Sequence, residues 1–206
     1  MPQAKIKSLI FGLFAMIALP SGFSPQEYLE LEAQSTIRHE YRQGLVYAMA
    51  GGSDDHSRIA INFLTALNLH LRDNACRFFA GDVKVNYADQ FFYYPDAFVT
   101  CDPRDRQNRY VKQFPKLIAE VLSPATATFD RIEKFQDYQK IDTFEEYVLI
   151  AQTHQEVEIW RRLPQGWSRH IYLHLDTLFL TSIQLEIPVA DLYRGTSLDT
   201  SEYGFI

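Results

Sequence analysis

The sequence predicts an α/β protein in which a mixed β-sheet is flanked by helices. The first observation is the order of elements, which runs helix, hairpin, helix, three strands, helix and then several strands. The second is the composition, since 47% of the residues are hydrophobic and 22% are charged, as in ordinary globular proteins. The third is the length of 206 residues, which suits one domain with a well-sized core.

The two ends of the chain differ from its centre. We divide the chain into an apolar N-terminal segment, a central domain and a polar tail that we expect to be loose, at residues 1–22, 23–194 and 195–206. The first segment has Lys5 and Lys7 before a short apolar run, which is the pattern of either a signal peptide or an N-terminal extension. The run is too short for a membrane span. Ser24 and Glu27 form a predicted capping box, so we expect the first helix of the domain to begin there.

Charge and cysteine content restrict the classes of function. The net charge of −6 argues against a strongly basic surface for nucleic acid. No glycine-rich phosphate loop or Gly-x-Ser-x-Gly motif occurs, so nucleotide hydrolysis and serine-nucleophile chemistry have no support. Cys76 and Cys101 lack the spacing of metal ligands. We interpret both as small buried thiols of a protein from a reducing compartment, without zinc.

Two residues in the first half of the domain have both a structural and a functional interpretation. Residues 36–50 predict a hairpin that turns at Gln43-Gly44, and Glu40 faces away from Tyr41 on its first arm. Glu40 is therefore either an exposed strand residue or part of a site. A helix is predicted over 55–73, with His56 in its first turn. His56 is either a surface or capping residue or part of a site.

After a strand predicted by the alternating run within 76–88, two acidic residues interrupt apolar strands in the middle of the chain. Asp96 lies within the predicted strand 91–99, directly after Pro95, which should bend the strand or place it at an edge. Asp96 is then either turned toward a site or an ordinary turn aspartate. Glu120 lies near the end of the predicted strand 115–122. Burial of a carboxylate costs several kcal/mol unless it is paired or binds a metal. We therefore expect the two carboxylates to meet and to hold a hard cation.

A predicted helix over 126–141 carries the lysine that follows these acids. Lys134 is one turn from Asp130, and this spacing is equally compatible with an ordinary surface salt bridge. Strand 147–151 and a hairpin around Pro164-Gln165-Gly166 complete the prediction. Basic residues crowd the loop before Glu120, which is either a solvated loop or a phosphate-contacting loop beside the site. They are Arg104, Arg106, Arg109, Lys112 and Lys116.

These residues, taken in order, resemble the Uma-type family of restriction endonucleases within the PD-(D/E)XK nuclease superfamily. The resemblance is carried by residues 38–41 with Gly44, and by His56, Pro95-Asp96, residues 120–124, Lys134 and residues 146–149. The chain departs from the superfamily at Leu122, where that superfamily has lysine. The Uma-type family shares this departure, and the resemblance implies that the lysine has moved to the next helix, at Lys134.

The resemblance implies a restriction-endonuclease-like core and a metal-dependent DNA endonuclease. Glu40, Asp96, Glu120 and Lys134 would be catalytic, with Mg²⁺, or Mn²⁺ in its place, held by Asp96, Glu120 and the carbonyl of Val121. It also implies double-stranded DNA as partner, a homodimer as one option, a cytoplasmic location and no stable membrane partner. Two alternatives remain, which are a DNA-binding module that does not cleave and an exported protein whose acidic pair is structural.

Overall fold

The computed structural model describes residues 18–19, 22–49 and 51–200. The strands, in chain order, are β1 (Ala18–Leu19), β2 (His39–Arg42), β3 (Leu45–Ala48), β4 (Arg77–Ala80), β5 (Lys84–Tyr87), β6 (Phe91–Tyr93), β7 (Ala97–Thr100), β8 (Val111–Lys112), β9 (Leu117–Leu122), β10 (Glu146–Ala151), β11 (Glu156–Leu163), β12 (Gly166–Leu173), β13 (Thr177–Leu180) and β14 (Leu185–Pro188). The helical elements are α1 (Pro25–Gln34), α2 (Asp54–Leu71), a 3-10 turn (Pro103–Arg106), α3 (Ala127–Phe129), a π-helical turn (Asp130–Lys134), α4 (Phe135–Tyr138) and α5 (Val189–Leu192). Within these described ranges, no helix is both long and apolar enough to cross a membrane.

The strands form two six-stranded sheets and a separate hairpin, so the predicted α/β class is confirmed. The first sheet has the order β1-β3-β2-β6-β5-β8, and the second has the order β12-β11-β10-β9-β7-β4. In the second sheet β9 and β10 are parallel, while β7 and β11 run antiparallel to them, so the sheet is mixed. The hairpin β13–β14 stands outside both sheets.

Strand β9 separates the two main cores. Leu117, Ala119 and Val121 point into a core that also contains the buried face of α2 and the β13–β14 hairpin. Ile118 and Leu122 point into an aromatic core on the other face, against β6 and α4. This alternation follows from the two-residue period of a strand. It places Glu120, which lies between Ile118 and Leu122, on the aromatic side.

Each of the two strands that were predicted before Glu120 is in fact two strands in different sheets. The predicted run 76–88 breaks into β4 and β5, and the predicted run 91–99 breaks into β6 and β7. The second break lies at Tyr94-Pro95-Asp96, where proline lacks the N–H that a continuing ladder requires. The predicted bend at Pro95 is therefore confirmed, and it carries the chain from the first sheet to the second.

Both predicted chain ends contribute contacts where the structure describes them. Most of the apolar segment 1–22 lies outside the described residues, but Ala18 and Leu19 pair with Tyr47 and Val46 of β3. The first described part of the tail is held rather than loose, because the amide of Ser197 donates to a carboxylate oxygen of Asp55 at 2.8 Å. The capping box at the start of α1 is present as predicted.

Cys76 and Cys101 form a disulfide bond, so their interpretation as separate buried thiols is wrong. Arg77 and Thr100 are partners in the β4–β7 ladder, and the cysteines occupy the next position at the same end. The bond therefore joins the edge strand to the strand that follows Asp96. Disulfides persist mainly in oxidising compartments, so the two cysteines do not support the predicted location in a reducing compartment.

Removing this disulfide should lower the free energy of unfolding by about 3 kcal/mol, because the bond closes a loop between residues 25 apart in the chain. The change is Cys76→Ala with Cys101→Ala, and urea denaturation of the double variant and of the oxidised wild type measures it. Thiol titration of the denatured wild type is the control. Two titratable thiols without reductant would contradict the assignment.

Candidate active site

The fold brings together the four side chains that the sequence predicts as catalytic. Asp96 directly precedes β7, and Ala97 pairs with Ala119, so Asp96 lies next to Glu120 on β9. The amide of Asp96 lies 3.3 Å from Oε2 of Glu120. Glu40 enters from β2 of the first sheet, and its Oε1 accepts a hydrogen bond from the amide of Tyr94 at 2.9 Å. Lys134 enters from the π-helical turn.

Lys134 is the centre of a buried ionic cluster and not a surface residue. Its Nζ lies 3.1 Å from Oε1 of Glu40, 3.2 Å from Oε1 of Glu120 and 3.2 Å from Oδ1 of Asp130. All four side chains are buried. The hydroxyl of Tyr138 donates to Oε1 of Glu120 at 3.3 Å, which adds a neutral donor. The i, i+4 pair of Asp130 and Lys134 is therefore part of the site, and the interpretation as a surface salt bridge is wrong.

Asp130 and Lys134 face inward together because residues four apart lie on one side of a helix, and the turn that carries them is π-helical. Such turns widen the helix locally and are frequent at functional sites. The backbone carbonyl of Asp130 receives a hydrogen bond from the hydroxyl of Tyr147 at 3.0 Å. Asp130 Oδ1 is buried and, although close to Nζ, has no hydrogen-bond partner with suitable geometry. The sequence indicated a helix here but contained no signal for the π turn.

The cluster has more acidic groups than basic ones, and this imbalance sets its electrostatics. Burial raises the pKa of Glu40 despite the opposing effects of Lys134 and the Tyr94 amide. Burial raises the pKa of Glu120 well above its ordinary value, and Asp130, Asp96 and Glu40 raise it further. Burial alone would lower the pKa of Lys134, but Glu120, Glu40 and Asp130 outweigh it and raise that pKa. Lys134 therefore keeps its proton, and the surrounding carboxylates favour a further cation.

Asp96 lies at the mouth of the site. Its side chain is 25% exposed, whereas that of Glu120 is 4% exposed. Oδ2 of Asp96 accepts a hydrogen bond from the amide of Val121 at 2.7 Å, and Oδ1 lies 3.0 Å from Nε2 of His56. Burial lowers the pKa of His56, but the hydrogen bond and the charge of Asp96 outweigh burial, so this pKa is raised.

The donor set fits Mg²⁺, although no ready-made cage exists. Among the described residues, no three His, Cys, Asp or Glu side chains converge in a way that alone holds a metal. Mg²⁺ is usually bound by one or two carboxylates, with water and substrate phosphate as the other ligands. Asp96 and Glu120 supply the carboxylates. The carbonyl of Val121 faces the same side as its amide, as expected in an extended strand, and therefore faces Asp96.

The basic loop begins and ends away from the carboxylates, and contact of its residues with DNA phosphate stays a prediction. The loop leaves the far end of β7 and enters the far end of β9, about four strand residues or roughly 13 Å from Asp96. Lys112 is buried, and its Nζ donates to the carbonyls of Asp105 and Asn108. Arg104 pairs with Asp102 and Lys116 pairs with Glu145. Arg106 and Arg109 are exposed.

The carboxylate of Asp137, on α4 directly after the turn that carries Lys134, is bonded to the strand that carries Glu40. Its Oδ2 accepts from Nε of Arg42 on β2 at 2.6 Å and from the hydroxyl of Tyr93 at 2.7 Å. Oδ1 accepts from Nζ of Lys140 at 2.7 Å. Burial would raise the pKa of Asp137, but the donors from Lys140, Arg42 and Tyr93 outweigh burial and lower it.

Asp137→Asn should lower the free energy of unfolding by about 2 kcal/mol at neutral pH, since hydrogen bonds to a charged group are lost. Because the folded-state pKa is lowered, this stabilisation is present above the ordinary value of 3.8 and is lost as the pH falls below it. Denaturation at a series of pH values should show the two proteins converging in acid. Asp142→Asn, at an exposed position nearby, is the control. A difference that does not depend on pH would contradict this account.

Comparisons with known proteins agree with this fold. The family model of Uma2, described as "Putative restriction endonuclease", matches residues 25–190. The Synechocystis protein slr1290 is 38% identical over 174 residues, covering 84% of this chain and 92% of its own length. The Synechocystis protein sll1609 is 33% identical over 151 residues, covering 72% of this chain and 85% of its own. A crystal structure of a putative nuclease belonging to DUF820 from Anabaena variabilis superimposes with a TM-score of 0.71 at 18% identity, covering 84% of this chain and 98% of that one.

The fold is that of the restriction-endonuclease-like α/β class. The chain belongs to the Uma2 family.

Proposed function

We propose that this protein is a Mg²⁺-dependent DNA endonuclease that hydrolyses phosphodiester bonds. The observation that carries the proposal is the contact of Glu120 with both Lys134 and the Asp96 segment. This arrangement joins a fixed positive charge to a pair of carboxylates that opens to solvent. Bound Mg²⁺, or Mn²⁺ in its place, would polarise the scissile phosphate and help to ionise water.

Each protein group has a distinct part in the proposed reaction. Asp96, at the mouth, and Glu120, behind it, would hold the cation together with the carbonyl of Val121. Lys134 stays protonated, so it does not act as a base; it offers positive charge to the attacking oxygen or to the phosphate as negative charge develops. Glu40 holds Nζ of Lys134 from the side of the first sheet and anchors the Tyr94-Pro95-Asp96 segment through the Tyr94 amide.

Nicking of supercoiled double-stranded plasmid DNA tests the proposal. We expect cleavage with Mg²⁺ or Mn²⁺, none with chelator, and a loss of about 10²-fold or more in Asp96→Asn, which removes a metal ligand but hardly changes side-chain volume. Equal rates for Asp96→Asn and wild type would indicate a contaminating nuclease or a different site. DNA binding without cleavage would instead support the non-cleaving module.

The cellular location and the oligomeric state remain predictions. The disulfide favours export over the predicted cytoplasmic location, because it is the form expected in an oxidising compartment, and it says nothing about the role of the acidic pair. Sequencing the N-terminus of the mature protein decides whether residues 1–22 are removed. The mass of the protein in solution decides whether it is a homodimer.

A further inference from the structure

His56 is fixed by the loop and the helix turn that surround it. Ser53 caps α2, and its hydroxyl accepts a hydrogen bond from the amide of His56 at 3.1 Å. Gly52 packs directly on the imidazole, since a Cβ atom on Gly52 would lie 2.8 Å from Cδ2 of His56. A Cβ atom on the neighbouring Gly51 would meet nothing within 4 Å. The close approach of Gly52 therefore holds the ring in one place.

The ring is directed at Asp96, although this leaves its other nitrogen without a partner. Nε2 of His56 lies 3.0 Å from Oδ1 of Asp96, whereas Nδ1 is buried and makes no hydrogen bond. A buried polar atom without a partner is unfavourable and is often connected with function. An apolar side chain would fill the space beside Gly52 equally well and would leave no buried nitrogen without a partner.

His56 and Val121 together fix the plane of the Asp96 carboxylate. The Val121 amide occupies one lone-pair direction of Oδ2, and His56 occupies one of Oδ1. A carboxylate has about four such directions, so each oxygen keeps one for a cation. Groups that orient a metal-binding carboxylate typically change metal affinity by 10- to 100-fold when they are removed.

We propose that His56 is a positioning residue that orients Asp96 for the cation, and that Gly52 is the residue that makes room for its ring. The proposal rests on the proposed function, because it assigns His56 to the same cation site. The contact between His56 and Asp96 is present without any substrate. We therefore expect its loss to change cation affinity in the absence of DNA.

Four variants of the full chain test this proposal by calorimetric titration with Mn²⁺. His56→Ala removes the contact, and Gly52→Ala keeps the imidazole but displaces it, so both should weaken Mn²⁺ binding by about 10- to 100-fold. His56→Gln keeps a side-chain N–H donor, so its Mn²⁺ affinity should stay within about threefold of wild type. This change is smaller than the loss expected for His56→Ala. Gly51→Ala is the matched control for Gly52→Ala and should bind Mn²⁺ as wild type does.

Plasmid cleavage provides a second readout. At saturating Mn²⁺, His56→Ala and Gly52→Ala should approach the wild-type rate, because the defect is in cation binding. Unchanged Mn²⁺ affinity in both variants would overturn the proposal. Wild-type affinity with lost cleavage in His56→Gln would also overturn it and would place the ring at the reacting atoms. Absence of Mn²⁺ binding in the wild type would overturn it too.

These outcomes distinguish the inference from the proposed function. If Mn²⁺ affinity falls as expected but the wild type cleaves no DNA, the positioning role stands and the endonuclease proposal fails. If the wild type cleaves DNA but the His56 and Gly52 variants bind Mn²⁺ normally, only the positioning role fails. Gly52→Ala keeps the test valid should His56→Ala fold poorly, because it retains every polar group of the site.

Discussion

Lys134→Met is expected to reduce plasmid cleavage by about 10²-fold or more and to lower the free energy of unfolding by about 3–5 kcal/mol. The first effect follows from the loss of a fixed positive charge beside the proposed reaction centre. The second follows because the ammonium lies within 3.2 Å of oxygens of Glu40, Glu120 and Asp130, all of them buried. Methionine has a similar length and helix propensity, so the change removes mainly the charge. Plasmid nicking and urea denaturation in chelator measure the two effects.

Lys116→Met is the matched control for stability. Lys116 also pairs with a glutamate, but Nζ lies 3.5 Å from Oε1 of Glu145 and the side chain is 30% exposed. Such a surface pair contributes at most about 1 kcal/mol. If Lys134→Met were no less stable than Lys116→Met, the carboxylates around Lys134 would not depend on its charge. Cleavage at the wild-type rate would remove Lys134 from the catalytic group.

The parts of this site that the sequence predicted depend on local patterns. The apolar run of β9 continues on both sides of Glu120, so this pattern alone indicates a buried carboxylate at that position. Pro95 predicted the bend that turns Asp96 away from a regular ladder. The position of Lys134 came from the resemblance to the Uma-type family, because its spacing from Asp130 alone equally fits an exposed helix.

The parts that the sequence did not predict depend on contacts between distant segments. His56 meets Asp96 only because α2 begins beside the break between β6 and β7, 40 residues away in the chain. The Cys76–Cys101 disulfide requires β4 to pair with β7, whereas the sequence pattern predicted a single strand within 76–88. The basic loop precedes Glu120 in sequence but lies at the other end of the strand, because an antiparallel connection joins the far ends of β7 and β9.

Three buried carboxylates surround the single ammonium of Lys134. We therefore expect neutralisation of Glu120 to lower cleavage but to raise the stability of the metal-free protein. In Glu120→Gln, cleavage should fall by about 10³-fold, because a metal ligand is lost. The metal-free protein should gain about 1 kcal/mol of stability, since one of three carboxylates around a single ammonium is neutralised. Mg²⁺ should stabilise the wild type against urea but leave this variant almost unchanged.

Glu40→Gln is the comparison that separates the two effects. It neutralises a carboxylate of the same cluster, and the remaining oxygen can still accept from the Tyr94 amide and from Lys134. We expect a similar gain in metal-free stability but a smaller loss of cleavage, and Mg²⁺ should still stabilise the protein, because Glu40 is outside the proposed ligand set. Urea denaturation with chelator and with saturating Mg²⁺ provides the measurement. If Glu120→Gln instead destabilised the metal-free protein as strongly as Lys134→Met, Glu120 would be a structural partner of that lysine, and its assignment as a cation ligand would be wrong.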